Sequence, residues 1–300
     1  MGPLFDSYRE IIPDFPAFLE SLKVPLPTHL RVNRLKIRPA DLIKILSQKG
    51  VEVKRSLDSD DGLLLAPDLK SPGSLMEYAL GYYHPQALTS CLAAMLLGAT
   101  PAAFVLDLCA SPGGKTSHLA QLMENSGLIM ANELYTRRHI PLSHTLGRLG
   151  VLNTVITAYP AQEFPLRHRF DFILADVPCS GEGRFRWTTK SSRYEERKAR
   201  QTLYDLQRRT ILRAFDLLNE QGVMVYATCT YNPDENESVI DFLLKHRDAE
   251  VLPGELGLAA EPGLGAWERT VYDRRLQRAM RFYPHRVDSV GFFMARVGRR

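Results

Sequence analysis

Val105-Leu106-Asp107-Leu108-Cys109-Ala110-Ser111-Pro112-Gly113-Gly114-Lys115-Thr116 decides the fold. Residues 104–108 are an apolar run as long as one buried strand of a parallel sheet. Ser111 to Gly114 break it, and a helical pattern starts near Lys115. Strand, glycine turn and helix N-terminus in succession aim backbone N–H groups at a ligand. Two phosphate signatures fail. A Walker A loop needs glycine at position 109, where Cys109 stands. The dinucleotide fingerprint needs three spaced glycines, and only Gly113 and Gly114 are there. An acid at a strand end, Asp107, beside a glycine turn suits a ligand with a cationic head group and a ribose, such as S-adenosylmethionine. A plain structural turn is the alternative.

Outward from this stretch, strands and helices alternate. Residues 86–97 read as an apolar helix, 115–124 as the helix after the glycine turn, and 128–131 as a strand leading to Glu133 and a helix over 135–149. Further strands are predicted at 154–158, at 172–174 ending on Asp176, at 223–227, and late in the chain at 280–283 and 292–297. Helices over 202–218 and 234–245 flank the fifth strand. This alternation predicts a doubly wound, Rossmann-like α/β domain over residues 85–300. In such sheets ligands lie beyond the carboxyl ends of the strands, where Asp107, Glu133, Asp176 and Cys229 fall. Glu133 is placed to accept both hydroxyls of a ribose; an exposed loop acid is its plain alternative.

Residues 1–84 read differently, as a small α+β domain. Residues 15–23 predict a helix. Residues 29–37 alternate apolar with polar or basic side chains, the pattern of a half-exposed strand presenting Arg31 and Asn33. Pro39 opens a helix over 40–48 that Gly50 closes, and strands follow at 51–55 and 62–66. RNA docking is the functional expectation for this unit, and a structural cap its alternative.

The chain has 300 residues, a net charge of +4 and an ordinary apolar content, which suits a sizeable core. The charge is uneven. Arg31, Arg34, Lys36 and Arg38 lie within eight residues with no acid among them; residues 184–200 hold seven basic side chains against two acidic; from Glu268 onward nine arginines face three acids. Three basic clusters favour a polyanionic partner. Cys91, Cys109, Cys179 and Cys229 lack the close spacing of a zinc site, so no metal is expected, and a disulfide framework is not expected either. No stretch has the length of a membrane span and residues 1–10 carry no apolar signal core, so a cytoplasmic protein without a membrane partner is expected.

The chemistry lies in Asp176-Val177-Pro178-Cys179-Ser180-Gly181-Glu182-Gly183 and in Thr228-Cys229-Thr230-Tyr231-Asn232-Pro233-Asp234-Glu235-Asn236-Glu237. With Ser111-Pro112-Gly113-Gly114-Lys115-Thr116 upstream, the chain resembles the Nop/Sun family of RNA cytosine carbon-5 methyltransferases, particularly its bacterial ribosomal branch. The likeness runs from Arg31-Val32-Asn33 through Tyr83 and Gln86 to Gly291-Phe292-Phe293, nearly the whole chain. Carbon-5 of cytosine is a weak nucleophile, so a thiolate must first add to carbon-6. The resemblance implies Cys229 as that nucleophile and Cys179 as the thiol that assists product release. It implies that Asp176 bonds the cytosine edge and that Lys115 assists from the glycine turn.

The same resemblance implies S-adenosylmethionine as cofactor. Cys109, Ala110, Ser111, Pro112, Gly113, Gly114 and Lys115 would wrap its methionine part and Glu133 hold its ribose. Arg138 would lie nearby, Pro160 against the adenine, and Asp176 at the border with the base. One departure stands out: the family usually has aspartate after the third strand, where Tyr159-Pro160-Ala161 offers none. The target base must be single-stranded or flipped. Arg184 and Arg186 are expected to hold flanking phosphates, with residues 193–200 and the arginine-rich tail extending the track, and Arg31 and Arg34 adding an N-terminal contact. Small-subunit ribosomal RNA, as naked RNA or an assembled particle, is the expected substrate and transfer RNA the runner-up. A non-catalytic assembly factor or a DNA cytosine methyltransferase explains less of the motif set. A monomer is expected. Many relatives of the bacterial branch carry a further C-terminal RNA-binding domain, and with seven residues after Phe293 none is expected here.

Overall fold

A computed structural model describes residues 5–57, 62–187 and 197–300. The chain opens with helix α1 (Phe15–Ser21), whose Asp14 cap accepts from the Ala17 N–H. Strand β1 (Thr28–Val32), helix α2 (Pro39–Gln48), strands β2 (Lys54–Arg55) and β3 (Leu63–Ala66), the short helix α3 (Met76–Ala79) and strand β4 (Tyr83–Pro85) follow. Their antiparallel sheet runs β2-β3-β1-β4. The strand expected to reach Ile37 stops at Val32 because Asn33 starts a turn. Its Oδ1 accepts from the Leu35 N–H, and its carbonyl from Lys36 and Ile37. Because β4 pairs with β1, the division expected between residues 84 and 85 runs through a strand.

Helix α4 (Leu88–Leu97) leads into the larger sheet: β5 (Phe104–Asp107), α5 (Gly114–Leu122), β6 (Leu128–Asn132), α6 (His139–Leu149), β7 (Thr154–Thr157), β8 (Phe170–Asp176), α7 (Arg197–Asp216), β9 (Leu218–Thr228) and α8 (Glu237–His246). Then come β10 (Ala249–Val251), β11 (Glu261–Pro262), the hairpin β12 (Ala266–Trp267) and β13 (Thr270–Val271), β14 (Met280–Phe282), α9 (Pro284–Val287) and β15 (Phe292–Arg299). The sheet order is β11-β14-β15-β9-β8-β5-β6-β7, with β10 on β15. The strands β7, β6, β5, β8 and β9 are parallel, and β15 returns antiparallel to β9. This is the doubly wound, Rossmann-like arrangement that the alternation predicts.

Val105, Leu106, Ile173 and Leu174 are buried on both faces, as their unbroken apolar runs require. One face is packed by α4 and α5, the other by α7 and α8. Strand order reverses at β5, so the crevice between the carboxyl ends of β5 and β8 is the expected ligand position. Residues 5–22 do not join the small sheet. Phe5, Tyr8, Phe15 and Phe18 pack around Tyr231 and Tyr283 of the larger domain, a long-range contact to which local periodicity is blind.

Candidate active site

The glycine turn leaves β5 at Asp107. The Ala110 N–H donates to the Asn132 carbonyl at 2.9 Å and the Gly113 N–H to Ala110 at 2.7 Å, folding residues 109–113 over the sheet edge. Gly113 has φ +101°, a conformation that favours glycine, and a Cβ there would crowd Leu142 Cδ1 at 3.0 Å. Asp107 is buried; burial pushes its carboxyl up to about 6, against the Thr116 hydroxyl that donates to its Oδ2 at 2.7 Å. Its Oδ1 is buried without a hydrogen-bond partner among the described residues. Burial also raises the Cys109 thiol, so it stays neutral.

After β6, Glu133 is buried beside this loop. Its Oε1 accepts from the Tyr135 N–H at 2.9 Å and its Oε2 pairs with Arg138 Nη1 at 3.0 Å. Arg138 donates to the Ser111 carbonyl at 3.0 Å, and the Ser111 hydroxyl donates back to the Arg138 carbonyl at 3.2 Å. Asn132 anchors the loop after β7, donating to the carbonyls of Leu108 and Tyr159 and accepting from the Tyr159 N–H. Pro160, half-buried, follows in that loop. Residues 109–114, Glu133, Arg138 and Pro160 thus belong to neighbouring loops at one end of the sheet.

Across the crevice, Asp176 ends β8 and takes Lys115 Nζ on Oδ2 at 2.7 Å. Burial lowers the lysine pKa, but the Asp176 charge and hydrogen bond outweigh it and raise the value. Cys179 and Cys229, 50 residues apart in sequence, come together with their sulfurs 3.4 Å apart and unbonded. Hydrogen bonding from the Cys179 thiol holds Cys229 below its ordinary value, against burial and the Asp176 charge; Lys115 and Arg184 lower it further. The same hydrogen bond and burial hold Cys179 well above its ordinary value. The resting pair is therefore a thiolate-prone Cys229 next to a protonated Cys179.

A side-chain network fixes this pair. The fully buried Glu235 accepts from the Ser180 N–H (2.9 Å) and from Gln207 Nε2 (3.0 Å), while Gln207 also donates to the Pro178 carbonyl. The Ser180 and Thr230 hydroxyls lie 2.8 Å apart; Thr230 donates to Glu182, which also takes the Tyr8 hydroxyl at 2.9 Å. Thr228 donates to Asn236 Oδ1, and Asn236 Nδ2 to the Thr230 carbonyl. The Gly183 N–H donates to the Cys229 carbonyl, and a Cβ on Gly183 would run into the Gly291 carbonyl at 2.1 Å. Sequence reasoning assigned no role to Glu235, Asn236 or Gln207. The quoted run after Thr228-Cys229 held the first two; nothing local marked Gln207, which lies on α7.

Two arginines expected at the RNA surface are not there. Arg31 is 1% exposed and Arg186 3% exposed. The polar face of β1 looks onto α5 rather than onto water, so Arg31 bonds Gln86, Ser117 and Gln121. Arg186 donates to the carbonyls of Phe185 and Ser289. Asn33 is likewise buried. Arg34 and Arg184 are exposed. Residues 188–196 lie outside the described residues, as do the side chains of 197–200, so the basic segment expected over 193–200 falls outside them.

A Rossmann-like sheet with a glycine turn after its first strand, an acid after its second and paired thiols after its fourth and fifth defines a methyltransferase fold. The family model for 16S rRNA methyltransferase RsmB/F matches residues 94–298, and one for the ferredoxin-like domain of these proteins matches residues 4–70. The chain belongs to this family of RNA cytosine-C5 methyltransferases. It is 33% identical, over 95% of its length and 92% of the relative's, to a tRNA (cytosine(49)-C(5))-methyltransferase of Pyrococcus abyssi. It is 37% identical over 93% of its length to the 28S rRNA (cytosine-C(5))-methyltransferase of Mus musculus, spanning 36% of that protein. A methyltransferase homolog of Pyrococcus horikoshii has the same fold, with a TM-score of 0.87, 33% identity and coverage of 98% of this chain and 94% of that one. No helix among the described residues is long and apolar enough to cross a membrane.

Proposed function

We propose that this protein is an S-adenosylmethionine-dependent RNA cytosine carbon-5 methyltransferase acting on small-subunit ribosomal RNA. The observation that carries the reading is the Cys179–Cys229 pair, sulfurs 3.4 Å apart, beside the Lys115–Asp176 ion pair at the β5/β8 crevice. The cofactor fits on three observations. The Glu133 carboxylate lies next to the turn, the backbone of 109–114 folds around the strand end, and buried Asp107 Oδ1 has no partner among the described residues. When bound, S-adenosylmethionine would supply an electrophilic methyl group, with S-adenosylhomocysteine as the leaving group. Residues 109–115 would hold its aminoacyl part, Glu133 its ribose with Arg138 steadying that acid, and Pro160 its adenine.

Cys229 adds as thiolate to carbon-6 of the base, and the electron pair moves to carbon-5, which then takes the methyl group. Asp176, held by Lys115, orients the ring edge by accepting from the exocyclic amine, and the Lys115 ammonium balances the negative charge that thiolate addition develops on the ring. Alkylation of Cys229 removes the negative charge that keeps the Cys179 proton in place. Cys179 then releases that proton to solvent and, as thiolate, takes the one on carbon-5; the C–H pair re-forms the ring double bond as the C–S bond breaks and Cys229 leaves as thiolate. Arg34 and Arg184 contribute phosphate contacts, and the first eighty-odd residues dock the RNA.

Support for the small-subunit substrate is the RsmB/F match over the catalytic domain. Transfer RNA is the second reading, favoured by the Pyrococcus abyssi relative that this chain covers nearly end to end. Purified protein with labelled cofactor, offered small-subunit particles, naked ribosomal RNA and bulk transfer RNA, separates them. Label in cytosine of the small-subunit substrate is the expected result. Label in transfer RNA alone selects the second reading, and RNA binding without any transfer overturns both.

A further inference from the structure

The chemistry at the two sulfurs makes no use of Arg31. Its guanidinium is buried at the junction of the two sheets, and burial lowers its pKa only to about 10, so it remains charged. No carboxylate pairs with it among the described residues. Its donors go to Gln86 Oε1 at 3.1 Å, Gln121 Oε1 at 2.8 Å, Ser117 Oγ at 2.7 Å and the Gly114 carbonyl at 3.4 Å. Three of these acceptors belong to α5, the helix that closes the glycine turn, and Ser117 also donates to the Gly114 carbonyl at 3.0 Å. A buried cation matched only by neutral acceptors is costly unless every acceptor keeps its place. The β4 end of the small sheet presses on the same point, since a Cβ on Gly114 would lie 3.1 Å from His84 Nε2. Two neighbours of Arg31 reach a different helix: Asn33 donates to the Leu149 carbonyl and Lys36 to that of Arg148, at the end of α6.

We propose that Arg31 is a positioning residue for the cofactor turn. Its fork fixes the first two turns of α5 and, through Gly114, the backbone of residues 111–114 that forms the turn. The basic side chain that the sequence pattern offers to RNA thus works from inside, coupling the small sheet to the cofactor cradle. The inference rests on the reading of that turn as the cofactor site.

The test uses the full chain with Arg31→Gln, Arg31→Lys, Ser117→Ala and, as a docking control, Lys36→Ala. Two quantities are read: amide hydrogen exchange of Ser111 and residues 113–117 without ligand, and the Kd for S-adenosylhomocysteine by calorimetry. Arg31→Gln should speed exchange in the turn about tenfold and weaken binding about tenfold, about 1.4 kcal/mol. Ser117→Ala should do the same by about threefold. Arg31→Lys should recover only part, because an ammonium cannot match a planar fork. Lys36→Ala should leave the turn unchanged, which separates positioning from general docking. Unchanged exchange and Kd in Ser117→Ala and, if it folds, in Arg31→Gln would overturn the proposal even if both variants melt earlier. Equal loosening of the turn in Lys36→Ala would overturn it too. A wild-type protein that binds no S-adenosylhomocysteine while exchange responds as described would instead defeat the cofactor reading and leave the mechanical role of Arg31 standing.

Discussion

Along the carboxyl edge of the large sheet, the β5–β7 half and the β8–β9 half are held together by different means. In the first, the turn after β5 is folded mainly by backbone hydrogen bonds, with Asn132, Glu133 and Arg138 bracing it from the next loops. In the second, side chains do the holding: Glu235 alone joins the Pro-Cys loop, the Thr-Cys loop and α7. A ligand read by backbone needs a shape, whereas a nucleophile needs a sulfur fixed in place and charge. The two halves should therefore fail differently, one by graded loss of affinity and the other by loss of rate.

The largest contrast is expected from Glu235→Ala, which strands Gln207 and the Ser180 N–H in the interior. A loss of about 2–3 kcal/mol, 30- to 150-fold in kcat/KM for RNA, should leave the cofactor Kd within threefold, measured by kinetics beside calorimetry. Gly113→Ala should show the reverse. A methyl group forced to φ +101° against Leu142 should cost about 1–2 kcal/mol, read as roughly tenfold weaker cofactor binding with the rate at saturation nearly intact. Equal effects of both changes on both quantities would erase the distinction between the halves.

A smaller effect concerns pH. With Cys229 as the proposed nucleophile and its pKa depressed by the Cys179 hydrogen bond, activity should fall as pH drops through that pKa. Because Lys115 helps to lower it, Lys115→Met should move the acid limb of the kcat/KM profile to higher pH. An unmoved limb would remove Lys115 from the electrostatics of the sulfur. Smallest of all, Arg184→Ala at the exposed position should reduce the salt slope of RNA binding by about one, with fold stability unchanged. Arg186→Ala, in the interior, should do the opposite, lowering the melting temperature without changing the slope.

The alternation of apolar runs was enough to read the order of the sheet's main strands and helices, because parallel strands buried on both faces leave unbroken hydrophobic stretches. Boundaries moved where tertiary contacts decide: β9 starts at Leu218, before Gly222, since Leu218 pairs with Phe170 across an irregular step in the ladder. The motifs picked out Cys179 and Cys229, but their approach is a property of two loops 50 residues apart. Arg31 was misread for a simple reason. Alternation tells which face of a strand is polar, and not whether water or a second domain lies against that face. The aromatic residues of 5–22 carry no periodicity that reveals their seat on Tyr231 and Tyr283.

The division of labour proposed for the two sulfurs is tested most directly by trapping. RNA incubated with S-adenosylmethionine and the Cys179→Ala variant, then run under denaturing conditions, should stay covalently attached to protein. Cys229→Ala and the double variant should show neither attachment nor methyl transfer. Attachment or transfer surviving in Cys229→Ala would contradict the assignment of Cys229 as the nucleophile.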